Sequence, residues 1–177
     1  IRIKVPINVN DINIFFDDVA NVVVSVPEAL NGQNITITVN GTSIKGTVKN
    51  GNVTASCVDL PAGVHIINVD YSGDGINSAN STTAKVTVNK VDSSLNVNDL
   101  IFDYNTVGNT TLSFTGAICI SAEVIGQSKA SIYVKDNVIS VSGLDVGNYT
   151  LIVTTIPDAN HNAVNKTINI TVNKVDS

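Results

Sequence analysis

An asparagine two residues ahead of Ser or Thr can accept a glycan when its chain is exported. Eight positions have that spacing: Asn34, Asn40, Asn52, Asn80, Asn109, Asn148, Asn165 and Asn169. A chain this rich in Asn and Thr also makes such triplets by composition alone, so export has to be argued separately. The run "DANHN", Asp158 to Asn162, places oxygen-bearing side chains at alternate positions, as at the opening of a calcium loop. Ala163 then stands where such a loop needs Gly, and Asn169 where it needs a bidentate Glu. A looser cation site could draw on Asp92, Asp99 and a carboxylate of the Asp74 loop, although isolated surface carboxylates are ordinarily just solvated. No cofactor is expected, and calcium is the one cation worth testing.

Nucleophilic and acid–base chemistry finds little material. The chain has two histidines, His65 and His161, two cysteines, Cys57 and Cys119, and two glutamates, Glu28 and Glu123. These form no triad, no His-rich metal set and no paired acid and base, and no Gly-rich phosphate loop is present. Cys57 is expected to point inward as a small hydrophobe. Cys119, between Ile118 and Ile120, is expected to point outward, so neither a disulfide framework nor a zinc spacing results. The reading is non-enzymatic. A net charge of −5 and a pI near 4.7 also argue against nucleic acid, which demands clustered Lys and Arg. No apolar run reaches the roughly 18 residues of a membrane-spanning helix.

The elements that must position these residues follow from composition and self-similarity. Hydrophobic residues make up 43% of the chain, but aromatics only 5%, and Trp and Met are absent. Val, Ile and Thr favour strands and Asn favours turns, so an all-β chain is expected. The hexapeptide "VNKVDS" occurs at Val88–Ser93 and again at Val172–Ser177. Around it, residues 60–93 lie on 144–177 without a gap, and "VNDINIFFDDVAN" lies on "VNDLIFDYNTVGN" at an offset four residues larger. Two tandem repeats are therefore expected, 1–91 and 92–177, with the hexapeptide closing each.

Each copy reads as about seven short strands separated by turn signals, the pattern of an antiparallel β-sandwich. Asn40-Gly41 and Asn50-Gly51 tolerate the positive φ of tight hairpins, with Ile125-Gly126 and Asp136-Asn137 at matching places in the second copy. Alternation assigns Val22, Val24 and Val26 to one core and Thr110, Leu112 and Phe114 to the other. Ile67 and Val69 match Leu151 and Val153 in the same way, and Ala84, Val86 and Val88 match Ile168, Ile170 and Val172.

"LPAGVHIINVDYSGD" and "LDVGNYTLIVTT", with "VNVND", "ITITVNG" and the "VNK" joint, resemble bacterial Ig-like repeats of the group 3 type. In particular they resemble the tandem repeats of adhesin-like surface proteins of methanogenic archaea. The resemblance covers nearly the whole chain. It implies two Ig-like sandwiches arranged as an end-to-end rod, at an extracellular, cell-surface location, serving mainly as a stalk or spacer in cell adhesion. It implies no catalytic residues, and it implies neighbouring repeats of a longer parent chain as partners; the opening "IRIKVPINVND", without an initiator Met or signal pattern, fits such a piece. Tyr149 follows Leu144 and Gly147 at the spacing of a tyrosine corner, with His65 at the equivalent place in the first copy. A joint of few residues between Val88 and Leu95 predicts limited bending.

The alternative is that the domains themselves bind a glycan or surface protein of a partner cell. Phe15, Tyr71, Tyr104 and Tyr133 are then the candidate contact rings. Phe15 and Phe16 fall on opposite faces of one strand, so at least one of them is available to solvent or to the joint.

Overall fold

The computed structural model describes residues 1–176. The chain separates into two compact units, Ile1–Lys90 and the segment from Val91 onward. In the first unit the strands are β1 (Asn8–Val9), β2 (Ile12–Phe15), β3 (Ala20–Ser25), β4 (Asn34–Val39), β5 (Thr42–Thr47), β6 (Asn52–Cys57), β7 (Gly63–Tyr71) and β8 (Asn80–Asn89). They form a three-stranded sheet, β1-β3-β6, and a five-stranded sheet, β2-β8-β7-β4-β5. The second unit contains β9 (Val91–Asp92), β10 (Ser94–Val97), β11 (Leu100–Asp103), β12 (Gly108–Thr115), β13 (Ala117–Val124), β14 (Ser131–Lys135), β15 (Val138–Ser142), β16 (Gly147–Pro157), β17 (His161–Asn162) and β18 (Asn165–Asn173). Two four-stranded sheets result, β10-β12-β15-β14 and β11-β18-β16-β13, with a short β9–β17 pair beside them.

Alternation builds both cores. Val22 and Val24 on β3 and Ile67 and Val69 on β7 are fully buried, as are Leu151 and Val153 on β16. Val86 and Ile170, on the last strand of each unit, are fully buried too. The opposite faces carry Thr, Asn, Ser and Lys interspersed with exposed aliphatics such as Val23, Val64, Ile66 and Ile156. Each unit holds its own cluster of buried aliphatic side chains.

The first strand of each unit is broken in two, which raises the count above seven. β1 and β10 belong to one sheet, while β2 and β11 cross to the other and run parallel to the last strand. The crossing is held by the Asp of the "VND" triplet: the Lys85 amide donates to the Asp11 carboxylate, and the Asn169 amide to Asp99, each at 3.0 Å. The sandwiches are therefore not purely antiparallel. Each carries one parallel ladder between its entering and leaving strands.

The joint corrects one expectation: at its first occurrence, Val88–Ser93, "VNKVDS" does not close a unit but straddles the division after Lys90. Asn89 ends the first unit's last ladder, while the Val91 and Ser93 amides donate to the Asn160 and Asn162 carbonyls of the second. Ser93 is buried, its hydroxyl bonded to Thr155.

The hairpins differ between the copies. Asn40-Gly41 adopts φ of 50° and 77°, a tight turn that lays β5 on β4 in full register from Val39↔Thr42 to Asn34↔Thr47. At Ile125-Gly126 only the glycine takes positive φ, because a β-branched side chain is a poor fit to the left-handed region. The expected hairpin is absent there. The chain leaves β13, and β14 pairs with β15 through Asp136-Asn137, at φ of 52° and 62°. The fifth strand thus extends one sheet in the first unit and the opposite sheet in the second.

Candidate functional site

The two corner residues do the same job. The Tyr149 hydroxyl donates to the Asp145 carbonyl at 2.8 Å, and His65 Nε2 lies 2.6 Å from the Pro61 carbonyl, again four residues back. A carbonyl only accepts, so His65 carries its proton on Nε2. Both side chains tie the start of a long strand to the loop before it, a structural role.

The acidic loops are occupied internally. Asp74 accepts from the Ile76 and Asn77 amides at 2.7 and 2.6 Å and from the Asn77 side chain. These bonds, led by the Asn77 amide, hold its pKa down at about 2. Asp158 is also lowered, first by His161 Nδ1 at 2.7 Å. Asp92 accepts from the Asn162 side chain. Among the described residues no three of His, Cys, Asp or Glu come together as a cation cluster.

Of the proposed contact rings, Phe15, Tyr104 and Tyr133 are exposed. Tyr71 is not, and that expectation is corrected: at 3% exposure its ring belongs to the first core. It follows Ile67 and Val69 at period two, so strand parity turns it inward. Its hydroxyl is buried without a hydrogen bond of sound geometry; burial first, and the Asp74 carboxylate next, push its pKa up. Phe15 is exposed while Phe16 packs on the core, as the opposite-face reading requires.

The sequon asparagines stand mostly at the surface. Asn34, Asn40, Asn52, Asn109, Asn148, Asn165 and Asn169 are exposed. Asn80 is half-buried, and its amide nitrogen, the atom a glycan would need, already donates to the Val5 carbonyl at 2.7 Å. Asn34, Asn52 and Asn109 accept cross-strand hydroxyl bonds through their oxygens, from Thr47, Ser25 and Ser140. The thiols are both free: Cys119 is exposed on β13, and Cys57 is half-buried against the first core, where burial raises its pKa.

Sequence reasoning missed one feature. Between β5 and β6 lies a cleft of about 270 Å³, floored by Ile37, Val39 and Leu60 and walled by Ile44, Cys57 and Val58. It closes where Gly46 packs on Val53, since a Cβ on Gly46 would overlap that valine. The signal was available in the replacement of Asn40 by Ile125 at the equivalent turn.

Two sheets packed face to face, with the first strand shared between them, define an immunoglobulin-like β-sandwich in each unit. No family model and no curated protein matches the chain. Among solved structures it is similar to a titin substructure at 14% identity and a TM-score of 0.42, over 93% of this chain and 95% of that one. It is similar to the adhesin InvE of Yersinia pseudotuberculosis at 13% identity and a TM-score of 0.40, over 93% of this chain and 58% of that one. The fibronectin(III)-like modules of Clostridium thermocellum CbhA give 12% identity and a TM-score of 0.37, over 96% and 95%.

Proposed function

We propose that the chain is a non-enzymatic, extracellular pair of Ig-like repeats from a cell-surface adhesin-like protein of group 3 type and archaeal source, acting mainly as a stalk under tension. One observation carries this reading. In both units the entering strand runs parallel to the leaving strand: Ile12–Phe15 on Val86–Asn89, and Leu100–Asp103 on Ile170–Asn173. Tension then enters at one end of that pair and leaves at the other. It shears all the ladder bonds at once, where an antiparallel pair would unzip them singly. Each shear pair is reinforced by a further bond beyond its ladder, from the Phe16 amide to the Asn89 carbonyl and from the Tyr104 amide to the Asn173 carbonyl. A single residue, Lys90, separates the last strand of one unit from the first of the next. Glycans on the exposed sequons would add to the hydration of the outer faces, and intact-mass measurement on protein from the native source would detect them.

Single-molecule pulling from the termini tests the stalk reading. Ile14→Pro, which removes a ladder donor between β2 and β8, should lower the unfolding force of the first unit and leave that of the second unchanged. An unchanged force in both units would overturn it. Saturable retention of the folded, labelled chain on candidate partner cells, lost on heat unfolding, would instead assign the adhesive surface to these domains, with Phe15, Tyr104 and Tyr133 the first rings to replace.

A further inference from the structure

We propose that the outer edge of β6 is a docking site for an extended polypeptide segment of a partner protein. The segment would add antiparallel to β6 and place one β-branched apolar side chain in the cleft opposite Cys57. The second repeat supplies the template for this occupant. Its β15 is the counterpart of β6: Ser56 donates to Asn21 as Ser140 donates to Asn109, and Cys57 faces Ala20 as Val141 faces Gly108. On β15 the outer edge is filled by β14, with Lys135 opposite Val138, Tyr133 opposite Ser140 and Ile132 opposite Val141. Ile132 is the half-buried member, packed against the second core.

In the first repeat that edge is bare, because Asn40-Gly41 has committed β5 to β4. Asn52 exchanges both of its backbone bonds with Lys49, at 3.0 Å each, so its amide and carbonyl point away from β3. Alternation along an antiparallel ladder turns the backbone groups of Thr54 and Ser56 the same way. Among the described residues, apart from the Lys49–Asn52 bridge, no strand pairs with that side. The cleft lies where the counterpart of Ile132 would sit, lined by Ile37, Val39, Ile44, Cys57 and Leu60. Unpaired donors and acceptors beside an apolar slot match the chemistry of strand addition: the backbone supplies affinity, and one side-chain pocket supplies choice. The segment this fits is uncharged at its centre, with Ile or Val at the pocket position and small or polar residues on either side of it. The inference does not depend on the stalk reading, since an edge can bind a partner whether or not the chain bears tension.

The probe is a synthetic peptide with the sequence of residues 130–136, offered to the full chain carrying Cys119→Ser so that Cys57 is the one remaining thiol. Binding should slow exchange of the Thr54 and Ser56 amides about tenfold at nine-tenths occupancy and slow alkylation of Cys57 to a similar extent. The same peptide with its Ile replaced by Asp should do neither. Thr54→Pro, tolerated at an edge because its N–H faces outward, should abolish protection. If that variant fails to fold, Ile44→Asp at the cleft wall serves the same purpose. Unchanged exchange at millimolar peptide, or equal protection by the Asp peptide, would overturn the proposal. So would protection of these amides that rises with protein concentration alone, which would make the occupant a second copy of this chain. Protection that appears in the free monomer would assign the edge to β5 itself.

Discussion

The two repeats share a core, a split first strand, a corner residue and a cross-strand Ser–Asn pair, yet they send the fifth strand to opposite sheets. The difference traces to a turn. Where the first repeat has Asn40-Gly41, both residues can take positive φ, and the hairpin closes β5 onto β4. Where the second has Ile125-Gly126, the tight turn is lost, and Asp136-Asn137 captures the strand for β15. Each repeat thereby leaves a different edge bare: β6 in the first, β13 in the second. In the first repeat Asn50-Gly51, at φ of 51° and 75°, turns as tightly as Asn40-Gly41, so both turns flanking β5 are formed; in the second only Asp136-Asn137 has two residues at positive φ.

The strongest way to test that the cores are equivalent is to empty them at matched positions. Ile67→Ala and Leu151→Ala should each destabilise their own unit by about 2–5 kcal/mol, read from denaturant unfolding. Very unequal costs would break the comparison at its base. Gly46→Val comes next: its side chain would strike Val53 and push β5 from β6, with a cost of about 1–3 kcal/mol in the first unit. Asn40→Ile, which copies the second repeat's turn into the first, should cost about 1–2 kcal/mol by placing a β-branched residue at positive φ. It should also raise exchange at the β4–β5 ladder, and an intact ladder would show that the turn does not set the partner. At the corners, Tyr149→Phe should cost about 1 kcal/mol by removing one hydrogen bond, and His65→Tyr should be close to neutral.

Acid separates the two loops more gently. Asp74 has a folded pKa of about 2 against an ordinary 3.8, so its carboxylate favours the folded state wherever it is ionised there. That contribution is complete above pH 3.8 and fades as the pH falls through about 2; Asp74→Asn should remove the slope from a stability–pH curve in that window. Asp158, lowered chiefly by His161, should act in the same direction in the second unit. The smallest expected effect is that of calcium: with Asp74 bonded within its own loop, and Asp92 and Asp99 already accepting from the Asn162 side chain and the Asn169 amide, melting in calcium and in chelator should coincide.

Much of this was legible in the sequence because it depends on short-range rules. Period-two alternation gave the inward sets on β3, β7 and β8, and the Leu-x-x-Gly-x-Tyr spacing gave the corner. Tyr71 was equally legible by parity with Ile67 and Val69, but its aromatic type suggested a surface role that its position denies. An exact repeat looks like a unit, so the sequence did not reveal that Val91 and Ser93 are held by carbonyls some 70 positions later. The bare edge of β6 was not legible from any one repeat. It appears only when two turns of the same family are compared and one proves unable to close.

The single-residue joint has a consequence for proteolysis. A trypsin-like protease cutting after Lys90 must thread an extended stretch on both sides of the bond through its active site. Here Asn89 is held in its ladder on one side and Val91 by the Asn160 carbonyl on the other. Cleavage at Lys90 therefore requires that one of these attachments open first, so the rate of nicking at this one bond is a direct gauge of how often the ends of the sandwiches fray.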